Sequence, residues 1–225
     1  MMRRLVLLLA AVAGLSLAAT PVLAATTYHY QERGSGLGAY YSNVEWDESG
    51  NLPPGPYFET YVDAASWMAR GDGTWVADYV CVSHWEFTID SDGSWTDETG
   101  FSACGEADTF TIDRSLAAGR VVATLPLEEC LAWDKKTGEC SRWTSLGDVE
   151  VDLTVTGTGR LYRYHGTSSG GVAGLYQYTS HGNGTQRAAT PGGSVTLDGT
   201  SLIEGATLSD GWLFQSKSGY MEVSH

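Results

Sequence analysis

Four tyrosines in the second half of the chain have the spacing of a binding surface. Tyr162 and Tyr164 alternate along one predicted strand and Tyr176 and Tyr178 along the next, so each pair shares one face of its strand. If the Gly/Ser-rich segment between the strands closes a hairpin, the four rings gather into one cluster. Such rings can stack on the C–H faces of sugars, although they also form ordinary cross-strand pairs. They are our candidate residues for binding an extracellular glycan or a surface protein.

Acidic side chains offer a second kind of chemistry. Asp148, Glu150 and Asp152 alternate along one predicted strand, and glycoside hydrolases use two carboxyl groups to cleave a glycosidic bond. The E-x-D-x-x-E pattern of one family of jelly-roll glycosidases would need an acid at position 155, which is Val155. A solvated acidic face is therefore favoured, and a secreted polysaccharide hydrolase with a carboxylate pair stays as the alternative.

The other motifs favour neither catalysis nor metal binding. Gly166–Gly170 matches G-x-S-x-G, but a tyrosine-bearing strand follows where that motif requires a helix. Asp90 and Asp92, with Ser94 and Asp97, could donate oxygens to Ca²⁺, yet the terminal bidentate Glu of a calcium loop is missing. The five histidines lack the spacing of zinc ligands. We expect no catalytic residue, no cofactor and no metal site.

A turn signal and the cysteines together predict one hairpin register. The cysteines are Cys81, Cys104, Cys130 and Cys140, an even count that indicates two disulfides with three connectivities to choose from. Asp92-Gly93 is typical of a two-residue type I′ turn. A hairpin centred on it pairs residues whose numbers sum to 185, as those of Cys81 and Cys104 do. The remaining two cysteines flank a turn signal at 134–138, which predicts a local Cys130–Cys140 bond.

This register also predicts which face of the hairpin is buried. Cys81, Trp85, Phe87 and Ile89 share one face, which we expect to be the core face, and Val82, His84 and Glu86 share the other. Gly100 would lie opposite Trp85, which leaves room for the indole.

The N-terminal segment has the order of a signal peptide. Arg3 and Arg4 precede an apolar run over 5–19, and small residues end at Ala24 as before a cleavage site. The run is shorter than the roughly 20 residues that a membrane span needs. We expect residues 1–24 to be removed and 25–225 to form one secreted domain, periplasmic in a Gram-negative cell, with no membrane span.

Composition and periodicity indicate an acidic, all-β domain. The chain holds 13 Lys and Arg against 27 Asp and Glu, a net charge of −14, so it repels phosphate backbones and nucleic acid is not an expected partner. Period-two patterns between turn signals recur, and no sustained helical pattern appears. These features predict an antiparallel β-sandwich or jelly-roll-like domain with two disulfides.

Individual strands can be placed from the same patterns. Thr27–Arg33 and Ala39–Asp47 are predicted strands separated by a Gly-rich turn, and the residues from 149 to 155 give the clearest half-buried strand. The segments Phe110–Leu116 and Val151–Gly159 resemble segments of a group of secreted bacterial β-proteins without a known activity. The resemblance implies a β-rich secreted protein and adds no catalytic residue.

These observations favour a secreted, noncatalytic module that binds a glycan or a surface partner. A polysaccharide hydrolase is the alternative, and a structural component of the cell envelope is the second alternative.

Overall fold

The computed structural model describes residues 26–71, 73–133, 140–172 and 175–224. The predicted signal peptide and the turn at 134–138 lie outside the described residues. Eleven strands account for most of the described chain: β1 (Thr26–Ser42), β2 (Gly55–Arg70), β3 (Thr74–Ile89), β4 (Trp95–Gly105), β5 (Thr109–Ile112), β6 (Ala118–Trp133), β7 (Cys140–Gly157), β8 (Tyr162–Val172), β9 (Tyr176–Leu197), β10 (Thr200–Ser201) and β11 (Leu208–Ser224). Within these ranges, no helix has the length and apolar character needed to cross a bilayer.

The strands form one antiparallel sheet that bends back on itself. Its order is β4-β3-β2-β1-β11-β9-β7-β6-β5, and β8 and β10 also pair with β9. β4 contacts β6 across the bend, so two layers of the same sheet enclose an apolar core. The predicted all-β, antiparallel architecture is therefore confirmed, with both layers belonging to one continuous sheet.

The core is built from alternate residues of nearly every long strand. On β7, Val149, Val151, Leu153 and Val155 are all buried, which confirms the predicted alternation. Leu37 of β1 and other aliphatic side chains meet them in the same cluster. Each fully buried aliphatic side chain contributes about 1.5–3 kcal/mol relative to exposure, so this face holds the two layers together. We call it the core face and the opposite face the outer face.

Both predicted disulfides are present. Cys81 is bonded to Cys104 and Cys130 to Cys140. The predicted hairpin register is also confirmed, because Cys81 pairs with Cys104 and Trp85 with Gly100 along the ladder.

The turn of this hairpin differs from the predicted two-residue type. Asp90 N donates to Ser94 O at 2.9 Å, and only Gly93 of the predicted turn pair has a left-handed backbone, with φ +81°. The loop therefore has three residues and ends on a left-handed glycine. That loop shifts the pairing by one residue, and a β-bulge between Glu86 and Thr88 shifts it back. The predicted register holds because these two changes cancel.

The predicted core face of β3 is wrong for its central residues. Val82 and His84 are buried in the main core layer, whereas Cys81 and Trp85 lie on the outer face. Phe87 is buried, but outside the main core cluster. The aromatic residues suggested a core, and the structure instead gives them a cluster of their own on the outer face.

His84 is held in the core by a polar chain. Thr60 Oγ1 donates to Leu202 O at 2.7 Å and lies 2.8 Å from His84 Nδ1. Because a hydroxyl has one proton, and Leu202 O takes it, His84 Nδ1 must be the donor to Thr60. These two hydrogen bonds connect β2 and β3 to the segment after β10.

The Gly-rich turn predicted between two strands is absent, because β1 runs without a break from residue 26 to 42. Its glycines on the outer face lie beneath aromatic rings of the neighbouring strands. The ladder places Gly34 opposite Trp67, Gly36 opposite Phe214 and Gly38 opposite Trp212. A Cβ at any of the three glycines would collide with the ring, so they permit close ring-to-backbone packing rather than a turn.

Part of the sheet continues beyond the core as a six-stranded layer. We call it the sheet extension; it comprises residues 74–79 of β3, 65–70 of β2, 26–35 of β1, 215–224 of β11, 176–186 of β9 and 162–172 of β8. Its outer face carries aromatic rings, and the face continuous with the core face carries mostly polar side chains, such as Gln31 and Arg33.

Candidate functional site

The four predicted tyrosines lie on one face of the sheet extension but form two groups. Tyr164 pairs with Gly184, and Tyr178 pairs with Gly170. Tyr164 and Gly170 are six positions apart on β8, which corresponds to about 20 Å. The expectation of a single cluster is therefore wrong. Its cause is that the Gly/Ser-rich segment is not a loop but strand β8, which continues to Val172.

Tyr176 and Tyr178 instead join a row that the sequence did not reveal. Their ring centroids are 6.4 Å apart, and Tyr178 stacks on Tyr220 of β11 at 5.8 Å. Desolvation, together with a hydrogen bond to the Glu222 carboxylate, raises the pKa of Tyr220 to about 12. Tyr162 and Tyr164 are more isolated, with 60% and 40% of their surfaces exposed.

The acidic strand has the geometry of a solvated face. Asp148, Glu150 and Asp152 all point outward and are exposed. Asp152 forms a 3.2 Å ion pair with Arg120, and Glu150 accepts a hydrogen bond from Thr196 at 3.3 Å. None of the three carboxylates lines the cleft described below.

The remaining motifs also lie in ordinary strands and turns. Ser168 of the G-x-S-x-G match sits within β8, with its hydroxyl 2.6 Å from that of Ser180. Asp92 caps its own turn by accepting from Ser94 N at 2.9 Å. Hydrogen bonds with the side chain and then the backbone of Ser94 lower the pKa of the Asp92 carboxyl. Among the described residues, no group of three or more His, Cys, Asp or Glu is placed to bind a metal ion.

A cleft rich in tryptophan lies on the outer face, at the end of the β2-β3-β4 hairpins. It has a volume of about 280 Å³. We call it the tryptophan cleft; its lining residues are Val44, Trp46, Leu52, Glu59, Trp85, Phe87, Trp95 and Glu98.

The floor of the tryptophan cleft is a stack of aromatic rings. Phe87 lies between Trp95, at 4.6 Å and 12° between ring planes, and Tyr57, at 5.6 Å. Trp85 lies flat across Gly100 of β4, where a Cβ would collide with the indole. The stacked rings make the floor flat and apolar. Phe87, in the middle of the stack, is itself only 7% exposed.

One wall of the cleft is the loop between β1 and β2, which side-chain hydrogen bonds hold in place. Asn43 Oδ1 accepts from Phe58 N at 2.7 Å, and Tyr57 donates to Pro53 O at 2.7 Å. Asp47 Oδ1 accepts from Ser49 N and Asn51 N, which closes the tip of the loop. The loop brings Trp46, 63% exposed, to the rim of the cleft.

Two carboxylates supply the polar part of the cleft. Glu59 Oε1 accepts a hydrogen bond from the Tyr40 hydroxyl at 2.6 Å. Burial raises the pKa of Tyr40, as does that hydrogen bond to Glu59. Glu98 is on β4, two strand spacings from β2, a distance of about 10 Å, and is exposed. Both carboxylates line the cleft together with Trp85.

Sequence reasoning missed this site because it assigned the aromatic face of the hairpin to the core. The predicted register already placed Trp85 over Gly100, and that pairing was the available signal. An indole lying over a glycine is a flat surface, and the polar Glu59 on the neighbouring strand would have marked it as solvent-facing.

Comparison with known proteins adds no function. No protein-family model matches the chain, and no curated protein matches it in sequence. A solved structure described as the InvG secretin domain β-barrel from the Salmonella SPI-1 injectisome NC-base aligns at 6% identity with a TM-score of 0.15, over 98% of this chain. The chain spans 66% of that structure, slightly under two thirds. This similarity is too low to indicate a shared fold.

Proposed function

We propose that the protein is a secreted, noncatalytic module that binds a glycan in the tryptophan cleft. The observation that carries the proposal is that stacked aromatic rings and two carboxylates line one open cleft. The two disulfides are compatible with an oxidising compartment outside the cytoplasm.

The aromatic floor suits the apolar face of a sugar ring. Sugar C–H groups pack against the face of an indole, whose electron density attracts them. Trp95 keeps 59% of its surface exposed although it stacks on Phe87, so one ring face remains available. Exposed tryptophan costs hydrophobic free energy, and a ligand that covers it recovers part of that cost.

The two carboxylates suit hydroxyl groups at the edge of the same sugar. Glu59 and Glu98 are acceptors in their ionised form, and sugar hydroxyls are donors. They also disfavour anionic sugars such as uronates, because like charges would be brought together in the cleft. We therefore expect neutral or amino-containing polysaccharides to bind and uronate polymers not to.

Polysaccharide pull-down and titration calorimetry would test the proposal. Trp95→Ala should weaken binding at least tenfold, which corresponds to about 1.4 kcal/mol, because one face of the sugar loses its platform. Tyr162→Ala/Tyr164→Ala is the matched control, since it removes exposed rings from the other end of the outer face. If the control variant lost binding and Trp95→Ala kept it, the tyrosines rather than the cleft would be the site.

A second candidate is a hydrolase that uses the same cleft. Glu59 and Glu98 line the same cleft, and glycosidases place their two catalytic carboxyl groups in one cleft. Release of reducing ends from a bound polysaccharide, abolished in Glu98→Gln while binding persists, would support this candidate. Binding without turnover would support the noncatalytic module.

A further inference from the structure

The sheet extension has two unpaired edges. Residues 74–79 of β3 pair only with β2, because β4 joins β3 at Val80. On the other side, β8 pairs only with β9, and every residue of β8 is exposed. Among the described residues, the outer backbone N–H and C=O groups of both edges thus lack ladder partners.

Both edges lack most of the features that usually prevent edge-to-edge pairing, and each keeps one charged side chain, Asp78 on β3 and Arg163 on β8. Natural edge strands are protected by Lys, Pro, bulges or coverage. The edge segments, TWVADY on β3 and YRYHGTSSGGV on β8, contain no Lys and no Pro. The β8–β9 ladder also runs without a register shift.

The direction of the two edge strands allows one copy to continue the sheet of another. All neighbouring strands of the extension are antiparallel, over six strands in the order β3-β2-β1-β11-β9-β8. β3 and β8 therefore run in opposite directions. If a second copy is placed beside the first in the same orientation, β8 of one meets β3 of the next as an antiparallel pair, with both outer faces on the same side.

The ladders also show which residues of the two edges are level with each other. From Asp78 they lead in turn through Ser66, Ser35, Gln215 and Thr185 to Arg163. Asp78 and Arg163 thus stand at the same height on opposite edges and on the same face. Among the described residues, neither takes part in an ion pair.

From this match we infer that a second copy of this chain pairs its β8 with residues 74–79 of β3, with Arg163 opposite Asp78. Opposite charges directly across an antiparallel ladder stabilise the pairing. A one-residue slip would place Asp78 opposite a tyrosine and exchange the two faces. The charge match therefore selects this register over its neighbours.

In the same register, the side chains that β3 and β8 present on the outer face also fit each other. Trp75, 48% exposed, would lie opposite Gly166, and nothing lies within 4 Å of a Cβ built on Gly166. Inside the chain, indoles already cover glycines in this way at Trp85–Gly100. Because the two edges are different surfaces, the contact is heterologous and repeats from copy to copy into a closed ring or an open filament.

Cysteine cross-linking between differently tagged copies tests the register. A copy carrying Val76→Cys and a copy carrying His165→Cys bring their new thiols directly opposite each other, so mild oxidation should yield a mixed dimer. The control mixes a Val76→Cys copy with a Thr167→Cys copy. Residue 167 lies on the same face as residue 165 but two positions out of register, so this mixture should yield several times less mixed dimer. Equal yields from the two mixtures, or an internal bond when one chain carries both Val76→Cys and His165→Cys, would overturn the inference.

Charge reversal tests the Asp78–Arg163 contact in protein without introduced cysteines. Asp78→Arg and Arg163→Asp should each weaken self-association by roughly tenfold in sedimentation measurements, because like charges then face each other. The double variant should recover most of the loss. Asp108→Arg makes the same charge change away from both edges and should have little effect. A protein that stays monomeric up to its solubility limit would contradict the proposal.

Discussion

The hydroxyl of Tyr41 is enclosed in the core with no hydrogen-bond partner among the described residues. The residue is only 5% exposed, and burial raises its pKa to about 12. A buried hydroxyl without a partner loses its hydration and recovers nothing in exchange. Tyr41→Phe should therefore raise the free energy of unfolding, by about 1 kcal/mol, as measured by urea denaturation.

Tyr57→Phe is the matched control for that measurement. Its hydroxyl donates to Pro53 O at 2.7 Å, so removing it should lower stability by about 0.5–1 kcal/mol. A Tyr41→Phe variant that lost as much stability as Tyr57→Phe would show that the Tyr41 hydroxyl has a partner in solution.

At the scale of elements, β1 depends on aromatic rings that lie over its glycines. The ladder pairs Gly38 with Trp212, and a Cβ at Gly38 would collide with the indole. Gly38→Ala should displace the ring and lower stability by about 1–3 kcal/mol, the usual effect of overpacking. Thermal unfolding followed by circular dichroism would measure the change.

Gly192→Ala provides the comparison, because Gly192 is also in a strand and a Cβ there meets nothing nearer than Thr154 O at 4.0 Å. In a strand interior, Gly→Ala without a collision is expected to be neutral or to stabilise by up to about 1 kcal/mol. Equal destabilisation by both substitutions would place the effect in the backbone of the strands rather than in the ring contact.

The same glycines explain which elements could be predicted from sequence. The alternation on β7 is visible in the residues themselves, and the Cys81–Cys104 pairing follows from a nearby turn, so both are confirmed. Gly34, Gly36 and Gly38 resembled a turn because the rings that cover them come from β2 and β11, which are distant in sequence. The tryptophan cleft was missed for the same reason, since its floor and its wall come from separate segments.

At the scale of the whole molecule, charge opposes the association inferred above. Each copy carries a net charge of −14, so two copies repel over distances comparable with the Debye length, about 30 Å at 0.01 M salt and 8 Å at 0.15 M. The Asp78–Arg163 pair would be in direct contact and is screened much less. If that pairing forms, raising the salt should remove more repulsion than attraction.

Self-association should therefore strengthen severalfold between low salt and about 0.2 M salt, measured as the weight-average mass by light scattering. The Asp78→Arg/Arg163→Asp variant keeps the same net charge and should show the same salt dependence. Weaker association at higher salt would mean that attraction between local charges outweighs the repulsion of the whole acidic chain. The contact would then depend on more ion pairs than the one pair that the register identifies.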